Sequence, residues 1–188
     1  MSWFLLILVA LLVFGAIAIY NRLVKLRTAA QGAWADVDVQ LKRRHNLVAN
    51  LVETVKGYAS HEQDTLEKVV QARNAAAAAG GGVAEQGQAE SMLTGMLRQV
   101  FALSEAYPEL KADTQFTELQ RSLNELEDAI QNARRYYNAV VRDYNTRIQS
   151  VPDVFIAQVG GFTAAEFFEL EDEQQRAVPK VDFGGEEK

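Results

Sequence analysis

Between Trp34 and Glu62 apolar residues recur at alternating steps of three and four with no proline among them, a spacing that a packed helix satisfies and a strand does not. The seam runs Trp34, Val37, Leu41, Val48, Leu51, Val55 and Tyr58, with Arg44 as a polar interruption. Leu47 and Val52 widen the apolar face, so this helix needs more than one neighbour and belongs to a bundle.

A second seam is cleaner. Phe116, Leu119, Leu123, Leu126, Ile130, Ala133, Tyr137, Val140, Tyr144, Ile148 and Val151 predict a helix that starts at Asp113, whose side chain can cap the first turn, and stops at Pro152. Between the two seams, Ala89, Leu93, Met96, Val100, Leu103 and Tyr107 predict another helix, ended by Pro108. From Asn21 nothing stops the first helix until Gly80-Gly81-Gly82, because Gly32 and Gly57 weaken it only slightly. A continuous helix from Trp3 to Ala79 would be more than about 100 Å long. The expected class is all-α: an N-terminal transmembrane helix continuing into a long antiparallel, coiled-coil-like bundle of three to four helices.

Residues Trp3 to Tyr20 carry no charge and form a run near the lower limit for crossing a hydrocarbon core. Trp3 and Tyr20 mark its ends, where aromatic rings favour the membrane interface. Ala16 and Ala18 also fit a signal-peptide cleavage site, but no Lys or Arg precedes the run, which favours a retained anchor. Arg22, Lys25 and Arg27 follow it, so the positive-inside rule puts the N-terminus outside and the bundle in the cytoplasm, as for a single-pass protein of the bacterial inner membrane. The chain divides into an anchor over 1–20, a bundle over 21–176 and a polar tail over 177–188. Its 188 residues leave no room for a second independent core.

The basic cluster Lys42, Arg43 and Arg44 starts about 20 residues past the span, roughly 30 Å along a continuous helix. With a Debye length of about 8 Å, pairing with acids such as Glu118, Glu125, Glu127 and Asp128 is favoured over contact with anionic lipid. Near the C-terminus, Thr163 and Glu166 fit a capping box for a short helix carrying Phe167, Phe168 and Leu170. Phe155, Phe162 and Phe167 serve either to close one end of the bundle or as a partner or oligomer contact.

Chemistry is harder to place. His61-Glu62-Gln63-Asp64-Thr65 lacks the second histidine of a zinc-binding helix, and neither His45 nor His61 has a glutamate three residues before it. Zero cysteines remove thiolate ligands and nucleophiles. The triple glycine lacks the Lys-Ser or Lys-Thr of a phosphate loop. A net charge of −6 without a basic field argues against nucleic acid as a partner. Tyr137-Asn138 and Tyr144-Asn145 stand seven residues apart, which one heptad explains: tyrosines in the seam, asparagines fixing register. A ligand site there is the rival reading. The expectation is therefore no catalytic residue, metal or cofactor.

The same stretches resemble the LemA family of bacterial membrane proteins. The resemblance rests on Ala33 to His45, Asn50 to Tyr58, His61-Glu62, Tyr107 to Ala112, Ala133 to Asn138 and Tyr144-Asn145. The sequence departs from the family pattern at Asn46, where aspartate is common, and at Ala49, where proline is common, so the helix should be straighter there. The resemblance implies an N-terminal anchor with a helical bundle, and some members of the wider family are associated with organising internal bacterial membranes. The expected function is a non-enzymatic membrane-anchored scaffold that contacts the lipid bilayer and assembles with copies of itself or with other membrane proteins. Arg43, Arg44, His45, Asn138 and Asn145 are its candidate polar contacts. A ligand-sensing or signalling bundle, or an adaptor for another membrane protein, is the alternative.

Overall fold

The structure, a computed structural model, describes residues 2–169. Among them are six helices: α1 (Ser2–Tyr58), α2 (Gln63–Ala78), α3 (Val83–Ser104), α4 (Pro108–Ala112), α5 (Thr114–Gln149) and α6 (Asp153–Val159). The all-α bundle with one long apolar N-terminal helix is the expected class. Leu170 and the tail 177–188 lie outside the described residues.

The first helix does not reach Ala79. It stops at Tyr58, one residue after Gly57, and Ala59 to Glu62 turn the chain back into α2. The 57 residues of α1 still span about 85 Å. Arg73 of α2 donates to the His45 carbonyl at 3.2 Å, so α2 runs antiparallel to the upper half of α1. Gly80 to Gly82 reverse the chain again, and α3 climbs beside α2. Tyr107 at its far end donates to Glu62 at 3.1 Å. Pro108 does not simply end this region but occupies the first turn of α4, where its missing N–H has no partner to lose. Asp113 caps α5 as its sequence predicts, accepting from the Phe116 N–H at 2.7 Å. That N–H, and next the Tyr58 hydroxyl, hold the Asp113 carboxyl below its ordinary range.

Helix α5 then descends antiparallel to α1 along most of the bundle. The core has three tiers. The upper tier joins Leu51, Val55, Leu66, Leu93, Val100 and Phe116 from α1, α2, α3 and α5. The middle joins Val37 and Leu41 to Leu126, Ile130, Val141 and the ring of Phe168. The lowest joins Leu23 to Tyr144, Ile148, Ala157 and Phe162. Helices α2 and α3 wall only the upper part. Below them α1 and α5 face each other, and α6 with the segment after it takes the missing place.

The seams hold with four shifts, the first on α5, where Val141 is buried and Val140 only flanks the core. Tyr58 is 40% exposed and reaches Asp113 with its hydroxyl at 2.9 Å instead of entering the core. Val151 lies beyond the end of α5 and is exposed. On α3 the buried line runs through Glu90, Leu93, Leu97 and Val100, while Ala89, Met96 and Leu103 flank it.

Glu90 explains Arg44. Its carboxylate is fully buried and accepts from His45 Nε2 at 2.7 Å and from Gln86 Nε2 at 3.0 Å, with Arg44 Nη1 at 3.5 Å. Arg44 Nη2 donates to Thr94 Oγ1 at 2.7 Å and lies 3.4 Å from Glu127. Gln86 completes the net by donating to the Ala76 carbonyl at 2.9 Å. Arg44 thus pairs with Glu127 as the acids on α5 suggested, but from the interior and with a second, fully buried partner, Glu90, on α3. Lys42 and Arg43 remain exposed, bonded to Asp38 and Gln40 of their own helix.

A buried charge that loses its partner is costly, whereas apolar replacement of the whole set is often neutral. Glu90→Leu alone should destabilise the bundle by about 3–5 kcal/mol, and Glu90→Leu with Arg44→Met and His45→Leu should recover most of that loss. Urea unfolding followed by helical circular dichroism checks both. A triple variant as unstable as the single one would mean the polar net is required for packing itself.

Candidate functional site

After α6 the chain turns at Gly161, whose φ of 67° is a left-handed conformation that a side chain would strain. Residues 162–169 then run extended up the groove between α1 and α5. This strap is not the short helix that Thr163 and Glu166 promise. An extended segment has no internal ladder, so its peptide groups need partners from elsewhere.

Helix α5 supplies them. Asn145 donates through Nδ2 to the Ala165 carbonyl and accepts from the Ala165 N–H, both at 2.9 Å. Asn138 does the same for Phe168, at 3.0 and 2.9 Å. The Tyr144 hydroxyl donates to the Thr163 carbonyl and the Tyr137 hydroxyl to the Glu166 carbonyl, each at 2.8 Å. Burial pushes both phenols up, joined at Tyr137 by the nearby Glu166 charge and opposed at Tyr144 by Arg27, so both stay protonated donors.

The register follows from two periods. Seven residues of α-helix advance about 10.5 Å, and three residues of extended chain advance about 10 Å. Asparagines a heptad apart therefore meet strap residues three apart. The heptad that fixes helix–helix register in a coiled coil here fixes helix–strap register. The carboxamide suits this use because it alone among side chains offers a neutral donor and acceptor side by side, as a peptide group does.

Side chains tie the strap to the other helices. Phe168 is fully buried with its ring 5.3 Å from Trp34, which also lies 5.3 Å from the Tyr137 ring. Phe162 is buried lower down, edge-on to Tyr20 at 5.5 Å, with the Arg27 guanidinium 4.9 Å over its face. Glu166 accepts from the Ala84 N–H at 3.4 Å in the first turn of α3, where a carboxylate is favoured by the helix dipole. At Gly87 of α3 a Cβ would stand 2.3 Å from the Glu169 carbonyl oxygen, so only glycine admits the strap there.

Of the other sequence candidates, Val37, Leu41, Val48, Leu51, Val55, Leu123, Leu126 and Ile130 are buried, and Trp34 is half-buried against the strap. Trp3 is exposed and Tyr20 partly so. Phe155 and Phe167 face outward while Phe162 faces in. An open pocket of about 320 Å³ lies beside the strap, lined among others by Arg27, Gln31, Trp34, Tyr137, Tyr144 and Thr163. Among the described residues no three His, Asp or Glu side chains gather as a metal site requires.

The LemA family model matches residues 33–183, which takes in the part of α1 from residue 33 onward, α2 to α6 and the strap. The chain belongs to the LemA family. It is 26% identical over 175 residues to magnetosome protein MamQ 2 of Paramagnetospirillum magneticum, covering 80% of this chain and 64% of that protein. The likeness to magnetosome protein MamQ of Magnetospirillum gryphiswaldense is also 26%, over 174 residues, covering 79% of this chain and 64% of that one. Protein LemA of Metamycoplasma hominis is 23% identical over 138 residues, covering 73% of this chain and 63% of that protein. The chain thus spans a little under two thirds of the length of these relatives.

The strap is what this LemA chain adds to an ordinary helical hairpin, and its partners are separable from the core. Each reciprocal asparagine bond pair contributes about 1–3 kcal/mol. Asn138→Ala with Asn145→Ala should speed hydrogen exchange at the Ala165 and Phe168 amides by about tenfold or more, leaving the amides of α5 protected. Native-state exchange resolved by mass spectrometry or NMR checks it. Unchanged protection in the strap would show that Phe162 and Phe168 alone hold it.

Proposed function

We propose that the chain is a non-enzymatic membrane-anchored scaffold whose rigid bundle assembles with copies of itself to organise a bacterial membrane. One observation carries the reading: the apolar run of α1 has no buried residue in its most hydrophobic window, yet the same helix passes without a break into the bundle wall. A core helix of a water-soluble protein would bury that run. A span followed by a flexible linker would leave the body free to swivel, whereas α1 passes the tilt of its span to the whole bundle.

Arg22, Lys25 and Arg27 support a cytoplasmic bundle with the N-terminus outside, in the inner membrane. Exposed apolar side chains on the body, Val39, Met92, Tyr136 and Phe167, supply contact points between copies. The similarity to proteins named for the magnetosome favours a task in building a cellular structure over a catalytic one.

A second reading is favoured by the pocket beside the strap. Its cationic, amide and hydroxyl groups fit a small polar ligand, whose binding would bias the strap between docked and released.

Full-length protein extracted in mild detergent and measured by light scattering and electron microscopy should form a closed, symmetric particle many times heavier than the 20.9 kDa chain. A monomer or dimer would overturn the scaffold reading. A small molecule co-purifying with such a monomer in native mass spectrometry would carry the sensor reading instead.

A further inference from the structure

The corner between α5 and α6 is built unlike the rest of the surface. From Ser150 to Ala165 the only charged residue is Asp153, and its carboxylate is buried against Arg147. What faces outward is uncharged and includes large apolar side chains: Val151, Phe155 and Val159 are 77%, 62% and 91% exposed, with Gln158 and Thr163 exposed beside them. Phe155 and Val159 stand four apart on α6, the spacing that lines residues up along one face of a helix, and Val151 precedes them in the turn between α5 and α6. Ala157 and Asp153, also four apart, form the opposite, inward face.

The position of this face is fixed by α1. Tyr20 touches Phe162, and Ile19 and Leu23 pack into the tier that includes Ala157. The exposed stripe therefore lies level with the residues at which the apolar run of α1 ends. A solvent-facing corner would carry charge, and this one presents to its surroundings the same chemistry as the run it adjoins.

We propose that the α5–α6 corner is a second membrane contact, with Val151, Phe155 and Val159 seated in the headgroup–acyl boundary of the bilayer that α1 crosses. The inference rests on the reading that residues 3–20 span that bilayer. Two contacts, a span and a wedge beside it, fix the azimuth of the bundle as well as its tilt, which a single helix cannot do. The occupant is lipid rather than a second copy because the stripe stands at the height where the apolar run of α1 ends, on an element packed against Ile19 and Leu23 of that helix. The inward pairing of Asp153 with Arg147 removes from the corner the only charge it would otherwise carry.

The chain has no cysteine, so single cysteines report without background. Full-length protein with Phe155→Cys, Val159→Cys, Leu12→Cys or Val39→Cys is spin-labelled and reconstituted in phosphatidylcholine–phosphatidylglycerol liposomes. Accessibility to oxygen and to a water-soluble nickel chelate is then measured. Labels at 155 and 159 should favour oxygen, less strongly than the label at 12, while the label at 39 favours the chelate. Chelate access at 155 and 159 with 12 still in lipid would overturn this inference and leave the span intact. Spectral broadening at 155 and 159 that disappears on dilution with unlabelled protein would overturn it in favour of contact between copies. Chelate access at 12 would overturn the span, and the inference with it. Val151→Cys, on the same stripe but outside α6, gives an independent copy of the readout.

Discussion

The antiparallel pairing of α1 with α5 is the contact to which every other element is fitted. Two helices alone bury only one stripe each, and the remaining apolar width of each must be covered. In the upper tier the α2–α3 hairpin does this, helix against helix. It stops at the triple glycine, short of the lower half. There the chain uses a different cover, an extended strap with two buried phenylalanines, and the choice has a cost that helices avoid. Helices satisfy their own peptide groups, whereas a strap must be given partners, and Tyr137, Asn138, Tyr144 and Asn145 are those partners. The side chains of α5 thus do two jobs from one heptad: one face packs on α1 and its edge hydrogen-bonds a backbone.

The buried net around Glu90 answers a different need. Four antiparallel helices with apolar faces can slide by a heptad and still bury similar area, and polar groups that fit in only one register remove that freedom. His45, Gln86, Arg44 and Glu90 meet at one height of the bundle, and Glu127 brings α5 into the same register. Fixing register there also fixes the lower half, because α3 must start at the height where Gly87 and the Ala84 amide meet the strap. A slip by a heptad would set a side chain against the Glu169 carbonyl.

How legible these features are in the sequence depends on how local their causes are. The cap at Asp113 and the seam of α5 are readable because each is decided within a few turns of one helix. The end of α1 is not: Gly57 costs a helix only about 1 kcal/mol, and the reversal at Ala59 is decided by what α2 buries afterwards. Thr163 and Glu166 satisfy a capping pattern, yet the acceptors and donors that hold the chain extended lie 19 to 30 residues back. The sequence does hold the signal, as two Tyr-Asn pairs seven apart, but a heptad of asparagines points first to another helix. Arg44 is visible as a break in a seam. Its partner Glu90 is not, because a step of three or four back from Leu93 reaches either Glu90 or Ala89, and only the apolar one reads as seam.

The lower tier joins the strap to the membrane question. Phe162 begins the strap, packs on Tyr20 and lies under Arg27, so the segment that closes the bundle is anchored on the residues that lead out of the apolar run. The cover of the lower half is therefore tied to the end of the apolar run at one end and to α3 at the other, where Glu166 meets the first turn. Anything that displaces the strap exposes Trp34, Tyr137 and the groove between α1 and α5 together, since one continuous segment covers them all. A body built of self-satisfied helices has no comparable part. The backbone of the strap depends on side chains of another helix for its hydrogen bonds, so removing those side chains would loosen it without unfolding a helix.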